Sequence, residues 1–544
     1  MASTSRPELD AVIIGAGWAG MYMLHRLRQI GLATRVYEAG DGVGGVWHWN
    51  RYPGARTDGE WMWYSYSFSP ELEQEWSWSE RFPAQPELER YANHVADRFE
   101  LRRDIQLRTR VVGADFVEPE RRWHVRTEHG EVVTASYLVA AVGALSAANV
   151  PDLKGLDAFR GACYHTSRWP REPVELAGRR VGVVGTGSSG VQCIPAIARE
   201  AAHLVAFQRT ANFSVPAWNV PTDPAFEREY KASYAEHRRL QRESTIGVHW
   251  SHANLEQSAL EVTTDERTAT YEHAWRNGPF TLMNSYKDLS SDLRANETLS
   301  EFVRSKVREI VRDPAVAEVL VPTTHPIGTK RLCIDTGYYE TFNRDNVTLV
   351  DLKSTPIEEV TERGVRTGTA EYELDVIVLA TGFDAMTGAL ERIGLRGRSA
   401  RSLSVKWAEG PRTYLGLATA GYPNLFILMG PGSPSVLGNN FEAIEQQVEW
   451  VSACIAFMRS TGAELIEATV DAEDGWVDHV HELADRTLFN LADTWFNGRN
   501  IPGKKGGFTP YAGGYRAYRE ECDEVAASGY RGFTLSPRPR DDPS

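Results

Sequence analysis

The sequence predicts an α/β protein made of two doubly wound parallel-sheet units, the second inserted in the first, with a helical insertion. Three observations carry that expectation. One glycine pattern occurs twice, as Gly15-Ala16-Gly17-Trp18-Ala19-Gly20 and Gly185-Thr186-Gly187-Ser188-Ser189-Gly190. Each copy follows a short apolar run and precedes helix-forming residues. Two further apolar runs ending in glycine, Tyr137 to Gly143 and Leu374 to Gly382, mark where the chain crosses from one unit to the other and back.

In the first unit Ala11 to Ile14 reads as a buried strand, Met21 to Ile30 as a helix, and Thr34 to Tyr37 as a strand ending at Glu38. Gly15 permits the tight turn, Gly17 lets the backbone approach a pyrophosphate, and Gly20 lets helix pack on strand. The helix N-terminus then holds phosphate, and Glu38 is placed to accept from ribose hydroxyls. In the second unit Arg180 to Val184 is the strand and Val191 to Arg199 the helix. Gly185, Gly187 and Gly190 repeat the three roles, with Thr186 and Ser188 in the turn. The next strand, His203 to Gln208, ends at Arg209, and a cation there suits a 2′-phosphate. Two Rossmann-like dinucleotide-binding domains follow, most economically one for FAD and one for the NADPH that reduces it.

Residues 216–326 are rich in helix formers (Phe226 to Arg242, Asp265 to Arg276, Glu301 to Val311), joined by polar connectors such as Ser290 to Arg294. The expected division is 1–147 and 382–544 for FAD, 148–215 and 327–381 for NADPH, and 216–326 for the helical insertion. The cluster Trp61 to Trp78 reads as core.

Composition excludes several classes. Hydrophobic residues at 42% and charged residues at 24% fit a soluble globular protein. A net charge of −14 argues against non-specific nucleic-acid binding, so phosphates must be held by local cations. The five cysteines are scattered without CxxC spacing, which excludes a zinc ribbon and a disulfide framework. Residues 1–10 are short and polar, and Tyr137 to Leu145 is too short to span a bilayer. The expectation is a cytoplasmic monomer or weak oligomer with no membrane, nucleic-acid or metal partner.

Two longer motifs narrow the chemistry. Phe159-x-Gly161-x-x-x-His165-x-x-x-Trp169-Pro170 lies between the glycine patterns. Gly44-Gly45-Val46-Trp47-His48-Trp49-Asn50-Arg51-Tyr52-Pro53-Gly54-Ala55-Arg56-Thr57-Asp58 follows the first unit. Both resemble the signatures of type I Baeyer–Villiger monooxygenases, in the right order, over residues 9–533. Phe383 to Gly388 and Gly430 to Ser435 are most similar to the phenylacetone and steroid monooxygenase branch.

That resemblance implies a distinct oxidation. NADPH reduces FAD, O2 adds at the flavin C4a, and the peroxide stays an anion that attacks a ketone to give an ester or lactone. Such an anion needs a permanent cation beside it, and arginine is the side chain that does not give up its proton. By resemblance Arg331, in Gly328-Thr329-Lys330-Arg331, is that cation, and Asp58 is the carboxylate positioning it. Lys330 joins Arg209 on the 2′-phosphate, Gly45 and Trp47 belong to the cofactor site, and Trp495 closes over the nicotinamide side. The motif around His165 implies a domain linker (Phe159, Gly161, His165, Trp169, Pro170), with His165 controlling orientation rather than moving protons.

Departures from the family bear on the substrate. Asp58-Gly59-Glu60-Trp61 stands where relatives carry Asp-x-Glu-Ser, and Ala144 replaces a larger polar residue. Gly59, Ala144, Leu332, Ser435, Val436, Leu437, Asn440 and Phe441 are the expected pocket residues. Gly59 and Ala144 enlarge it, Asn440 and Glu442 add hydrogen bonds, and Trp61 is a rival reshaping element. The expected substrate is a bulky cyclic, aryl or steroid-like ketone. A flavin-dependent N- or S-monooxygenase is the neighbouring alternative, though its motif lacks Trp169-Pro170. A flavin disulfide reductase lacks its cysteine pair here, and a non-catalytic NADPH-binding protein has no use for Arg331 and Asp58.

Overall fold

The structure, a computed structural model, describes residues 8–249 and 256–538; the polar residues 1–7 and 539–544 lie outside it. Strand β1 (Glu8–Ile14), helix α1 (Trp18–Gln29) and strand β2 (Thr34–Tyr37) follow one another as the glycine pattern predicts. β1 runs parallel to β2 on one side and to β3 (Val132–Ala140) on the other. Residues alternate across a strand, so Ala11 and Ile13 pack into the core under α1 while Val12 and Ile14 enter the core holding Trp123. Burial on both faces explains why this strand reads as one unbroken apolar run.

The second sheet is parallel throughout. It contains β4 (Arg180–Val184), which leads into helix α2 (Ser188–Glu200), then β5 (His203–Gln208) and β6 (Val376–Leu379). Its order is Val347–Asp351, β5, β4, β6, Ala162–His165. The chain then returns to the first sheet, where Leu425–Ile427 pairs with β3. The second sheet is therefore inserted, in sequence, within the first. Among the described residues no helix is long and apolar enough to cross a membrane.

The helical segment departs from the composition in two places. Phe226 to Arg242 is two helices, Pro224–Ala232 and Tyr234–Glu243, meeting at Ser233. The polar stretch expected as a connector contains a helix start, because the Asp292 carboxylate accepts from Arg294 N at 2.8 Å and opens Leu293–Ile310. Packing divides the segment too. Tyr230 and Tyr234 join the core of the first unit, whereas Tyr271, Trp275 and Leu299 form a separate core. Trp61, Tyr66 and Trp78 are buried, and Trp61 lies 5.6 Å from the Tyr230 ring. Trp61 is thus core, packed against Phe226 and Tyr230 of the helix Pro224–Ala232.

The motif around His165 is mostly not a linker. Ala162–His165 is an edge strand of the second sheet, Phe159 packs beside Val360, and Trp169 packs on Tyr164 at 5.4 Å. A Cβ at Gly161 would run into the Asp375 carbonyl, so close strand packing explains that glycine, and Pro170 simply follows the buried Trp169. Only His165 reaches the crossings between sheets. Its Nε2 lies 3.4 Å from Asn149 O and 3.3 Å from Thr381 Oγ1, while Nδ1 accepts from Ser167 N. Burial holds its pKa below the usual histidine value, so the ring bridges the crossings as a neutral group.

The second signature is a strap across both units. Gly44 N donates to Ala16 O at 3.0 Å, and Gly45, at φ 57°, brings its backbone against Gly17. Further along, Tyr52 Oη donates to Gln192 Oε1 at 2.9 Å and Gln192 Nε2 donates to Arg56 O at 3.1 Å. Gln192 lies on α2, so one short segment grips both glycine turns. Gly54 has φ 84° and a Cβ there would strike the Gln192 carbonyl. Gly54→Ala is expected to cost about 1–3 kcal/mol through the left-handed backbone alone. Thermal unfolding of the cofactor-loaded enzyme checks this, and an unchanged midpoint would show that the strap bears no strain there.

Candidate active site

Arg331 and Asp58 come from opposite ends of the fold and meet at the end of the strap. Arg331 Nε donates to Asp58 Oδ2 at 2.7 Å, and Nη2 lies 2.5 Å from the same oxygen. Nη1 donates to Val436 O at 3.0 Å. Burial disfavours the guanidinium charge, but the Asp58 carboxylate outweighs it and the Arg331 pKa is raised above its ordinary value. The group is a permanent cation. Its side chain remains 23% exposed, so it is held without being sealed.

Val436 connects the cation to an apolar cluster. Ala144, Met386, Val436, Leu437, Trp495 and Phe496 pack together there, with the Trp495 and Phe496 rings 4.3 Å apart. Asn440 opens the helix Asn440–Thr461 that follows, and its buried Oδ1 has no partner among the described residues. A Cβ at Gly59 would only touch Tyr64 at 3.4 Å, so the glycine leaves modest room beside Asp58.

On the other side, the second glycine turn faces two cations. Gly187 and Ser188 are exposed, and a Cβ at Gly187 would meet nothing within 4 Å, so that backbone is open to a ligand. Thr186 Oγ1 donates to Thr210 O at 3.1 Å, holding the turn against the loop after β5. Arg209 and Lys330 lie close enough to repel: burial first, then Arg209, lowers the Lys330 pKa. Neither forms a salt bridge among the described residues. Two like charges left together are a site for an anion.

Residues 12–274 match the family model described as pyridine nucleotide-disulphide oxidoreductase. A Baeyer–Villiger monooxygenase of Pseudooceanicola batsensis is 42% identical over 96% of this chain and 95% of its own. A solved steroid monooxygenase structure bound to NADP is 52% identical and covers 97% of this chain and 99% of its own, with a TM-score of 0.92. The chain belongs to the Baeyer–Villiger monooxygenases. FAD and NADPH are its cofactors. A phenazine N-monooxygenase of Lysobacter antibioticus is also 41% identical over 99% of both chains.

The residues present fit both cofactors of this family. A Cβ at Gly15 would sit 2.6 Å from Ala141 O, and one at Gly20 would overlap Gly15 O, so the turn closes as a phosphate cradle requires. Glu38 is 7% exposed and its carboxylate accepts from Ala16 N at 2.8 Å and Gly40 N at 2.6 Å. It shapes the glycine turn. Trp47 Nε1 donates to Tyr64 Oη at 2.9 Å beside the strap. All five cysteines are unpaired, so the disulphide chemistry in the matched description has no counterpart here.

Four expected pocket contacts are corrected. Glu442 is 4% exposed and its carboxylate is taken by Arg519, with Arg242 at 3.9 Å, so it is a buried ion-pair partner. Phe441 turns into the first unit's core, 5.1 Å from Trp18 and 4.9 Å from Tyr66. Leu332 packs into the helical core with Phe213 and Ile327. Ser435 is fully buried, its Oγ donating to Met429 O at 3.4 Å. Phe441 and Glu442 lie on the helix Asn440–Thr461 and Ser435 in a tight turn before it, so neighbours in sequence point to different sides and sequence position alone does not say which faces the cation. Gln192, Asn212 and Cys333 carry contacts that no motif signalled, since each acts across the fold.

The paired cations make a prediction with a definite sign. Bound phosphate favours the Lys330 ammonium, whose pKa is lowered in the free enzyme. NADPH affinity is therefore full at neutral pH and falls as pH rises through a value below the usual lysine pKa of about 10.4. KM for NADPH should climb between about pH 7 and pH 10 while that for NADH stays flat. Parallel curves for the two coenzymes would remove Lys330 and Arg209 from 2′-phosphate recognition.

Proposed function

We propose that this chain converts a bulky cyclic, aryl or steroid-like ketone to its ester or lactone, with Arg331 as the cation at the reacting centre and Asp58 holding it. The single observation that carries this is a charged, carboxylate-held guanidinium opening onto an apolar cluster through Val436. Ketone, O2, NADPH and a proton become ester, water and NADP+. FAD supplies the two-electron chemistry and the place where O2 is activated. Arg331 commits Nε and one hydrogen from Nη2 to Asp58 and one from Nη1 to Val436 O. One N–H on each Nη remains for a negatively charged oxygen. The apolar cluster, against which Trp495 and Ala144 pack, would exclude water from the side that Val436 presents. Asn440 offers its orphan amide oxygen to a polar group on the substrate.

Oxidation of an aromatic nitrogen is the second reading, favoured by the 41% identical phenazine N-monooxygenase. Purified protein incubated with NADPH, O2 and a panel of phenylacetone, cyclohexanone, cyclododecanone, a steroid ketone and a phenazine separates the two by product mass and fragmentation. Ester or lactone from the larger ketones supports the proposal, and N-oxide alone replaces it. We read the protein as a cytoplasmic monomer or weak oligomer, supported by its net charge of −14. Light scattering tests the oligomeric part.

Arg331→Ala is expected to leave flavin reduction by NADPH intact and to lower ester formation by about a hundredfold or more. Stopped-flow absorbance and product analysis on the same sample read the two steps. Ester at the wild-type rate would mean that another group carries the negative charge.

A further inference from the structure

The backbone at Arg331 is also held, by groups outside every motif. Asn212 Nδ2 lies 3.3 Å from Arg331 O and 3.2 Å from Cys333 Sγ. The Cys333 thiol lies 3.5 Å from the same Arg331 O as a donor, and Ser188 Oγ lies 3.3 Å from its sulfur. Burial pushes the Cys333 pKa up to about 12, so the sulfur stays protonated and keeps a hydrogen to donate. A short parallel ribbon fixes the register, with Cys333 N donating to Phe213 O at 3.2 Å and Ser214 paired with Cys333.

The ends of this network are significant. Ser188 opens α2 in the second glycine turn, and Asn212 follows Arg209 on the loop after β5. Thr186 of the same turn is bonded to that loop through Thr210 O. Three residues expected at the coenzyme, Ser188, Arg209 and Lys330, are thus joined within a few bonds to the carbonyl of Arg331. Motion of the turn or of the loop must move that carbonyl, and with it the guanidinium.

We propose that Asn212 and Cys333 are positioning residues that tie the placement of Arg331 to the coenzyme-binding turn. This rests on the reading of Arg331 as the cation at the reacting centre. Their loss leaves the cofactor sites in place and lets Arg331 drift from the point where it holds negative charge. Reducing equivalents then leave as hydrogen peroxide instead of appearing in ester. Cys333→Ser retains a donor of similar shape, whereas Cys333→Ala removes it.

The test compares the wild-type holoenzyme with Asn212→Ala, Cys333→Ala and Cys333→Ser, each checked for full flavin content and an unfolding midpoint within about 2 °C of wild type. Ester and hydrogen peroxide formed per NADPH are measured together with the rate of flavin reduction. The expected result for both alanine variants is a reduction rate near wild type with the ester-to-peroxide ratio lowered about tenfold, since small misplacements at a reacting centre are costly. Cys333→Ser should recover most of that ratio. An unchanged ratio in the two folded alanine variants overturns the proposal, as does a serine variant no better than alanine. If an alanine variant does not fold, Asn212→Ser, which is too short to reach the Arg331 carbonyl but keeps a polar group, is read by the same ratio, and an unchanged value again overturns the proposal. Absence of ester from the wild type with every ketone would instead defeat the reading of the reaction itself.

Discussion

A permanent positive charge must stand where two nucleotide-binding units meet, and the segment from Gly44 to Asp58 makes that possible. It starts against the first glycine turn, where only glycine allows Gly17 and Gly45 to touch. It then passes α2 of the second unit through Tyr52 and Gln192 and ends in the carboxylate that holds Arg331. A change anywhere along it is felt at both cofactor sites. This dependence accounts for a long motif whose residues mostly touch protein.

Electrostatics is arranged locally against the sign of the whole molecule. The chain carries −14, yet Arg209 and Lys330 stand close enough to repel, with no salt bridge to either among the described residues, and Arg331 keeps its charge beside an apolar cluster. Long-range repulsion of an anionic coenzyme is screened within about 10 Å at ordinary salt, so neighbours decide the outcome. Two acidic side chains near the site are committed to arginines, Glu442 to Arg519 and Asp58 to Arg331. Asp493 acts on Lys330 from nearby, opposing part of the repulsion from Arg209.

The neutral groups matter as much as the charged ones. His165 is kept neutral by burial at the crossings between sheets, and the Cys333 thiol is kept protonated beneath Arg331. Each therefore donates one hydrogen bond in a fixed direction. A charged group in either place would require a counter-ion that the surrounding packing has no room to supply.

Much of the fold was legible from local pattern. The two glycine turns, their flanking strands and the acidic or basic residue closing each following strand are short-range features. Steric and hydrogen-bonding rules act there within a few residues. The same logic singled out Arg209 at the end of its strand, whereas Arg331, Asp58 and Lys330 were singled out by resemblance to the family's motifs. What local pattern could not decide was direction and partnership. Phe441, Leu332, Ser435 and Glu442 sit beside pocket residues in sequence yet face a core, a turn or an arginine. Asn212 and Cys333 carry no motif yet grip the backbone of Arg331. Sequence by itself determined the two nucleotide-binding units and the chemistry of their charged residues. Only the tertiary structure decided which side chains surround the cation, because that depends on how distant segments pack, and packing is not local.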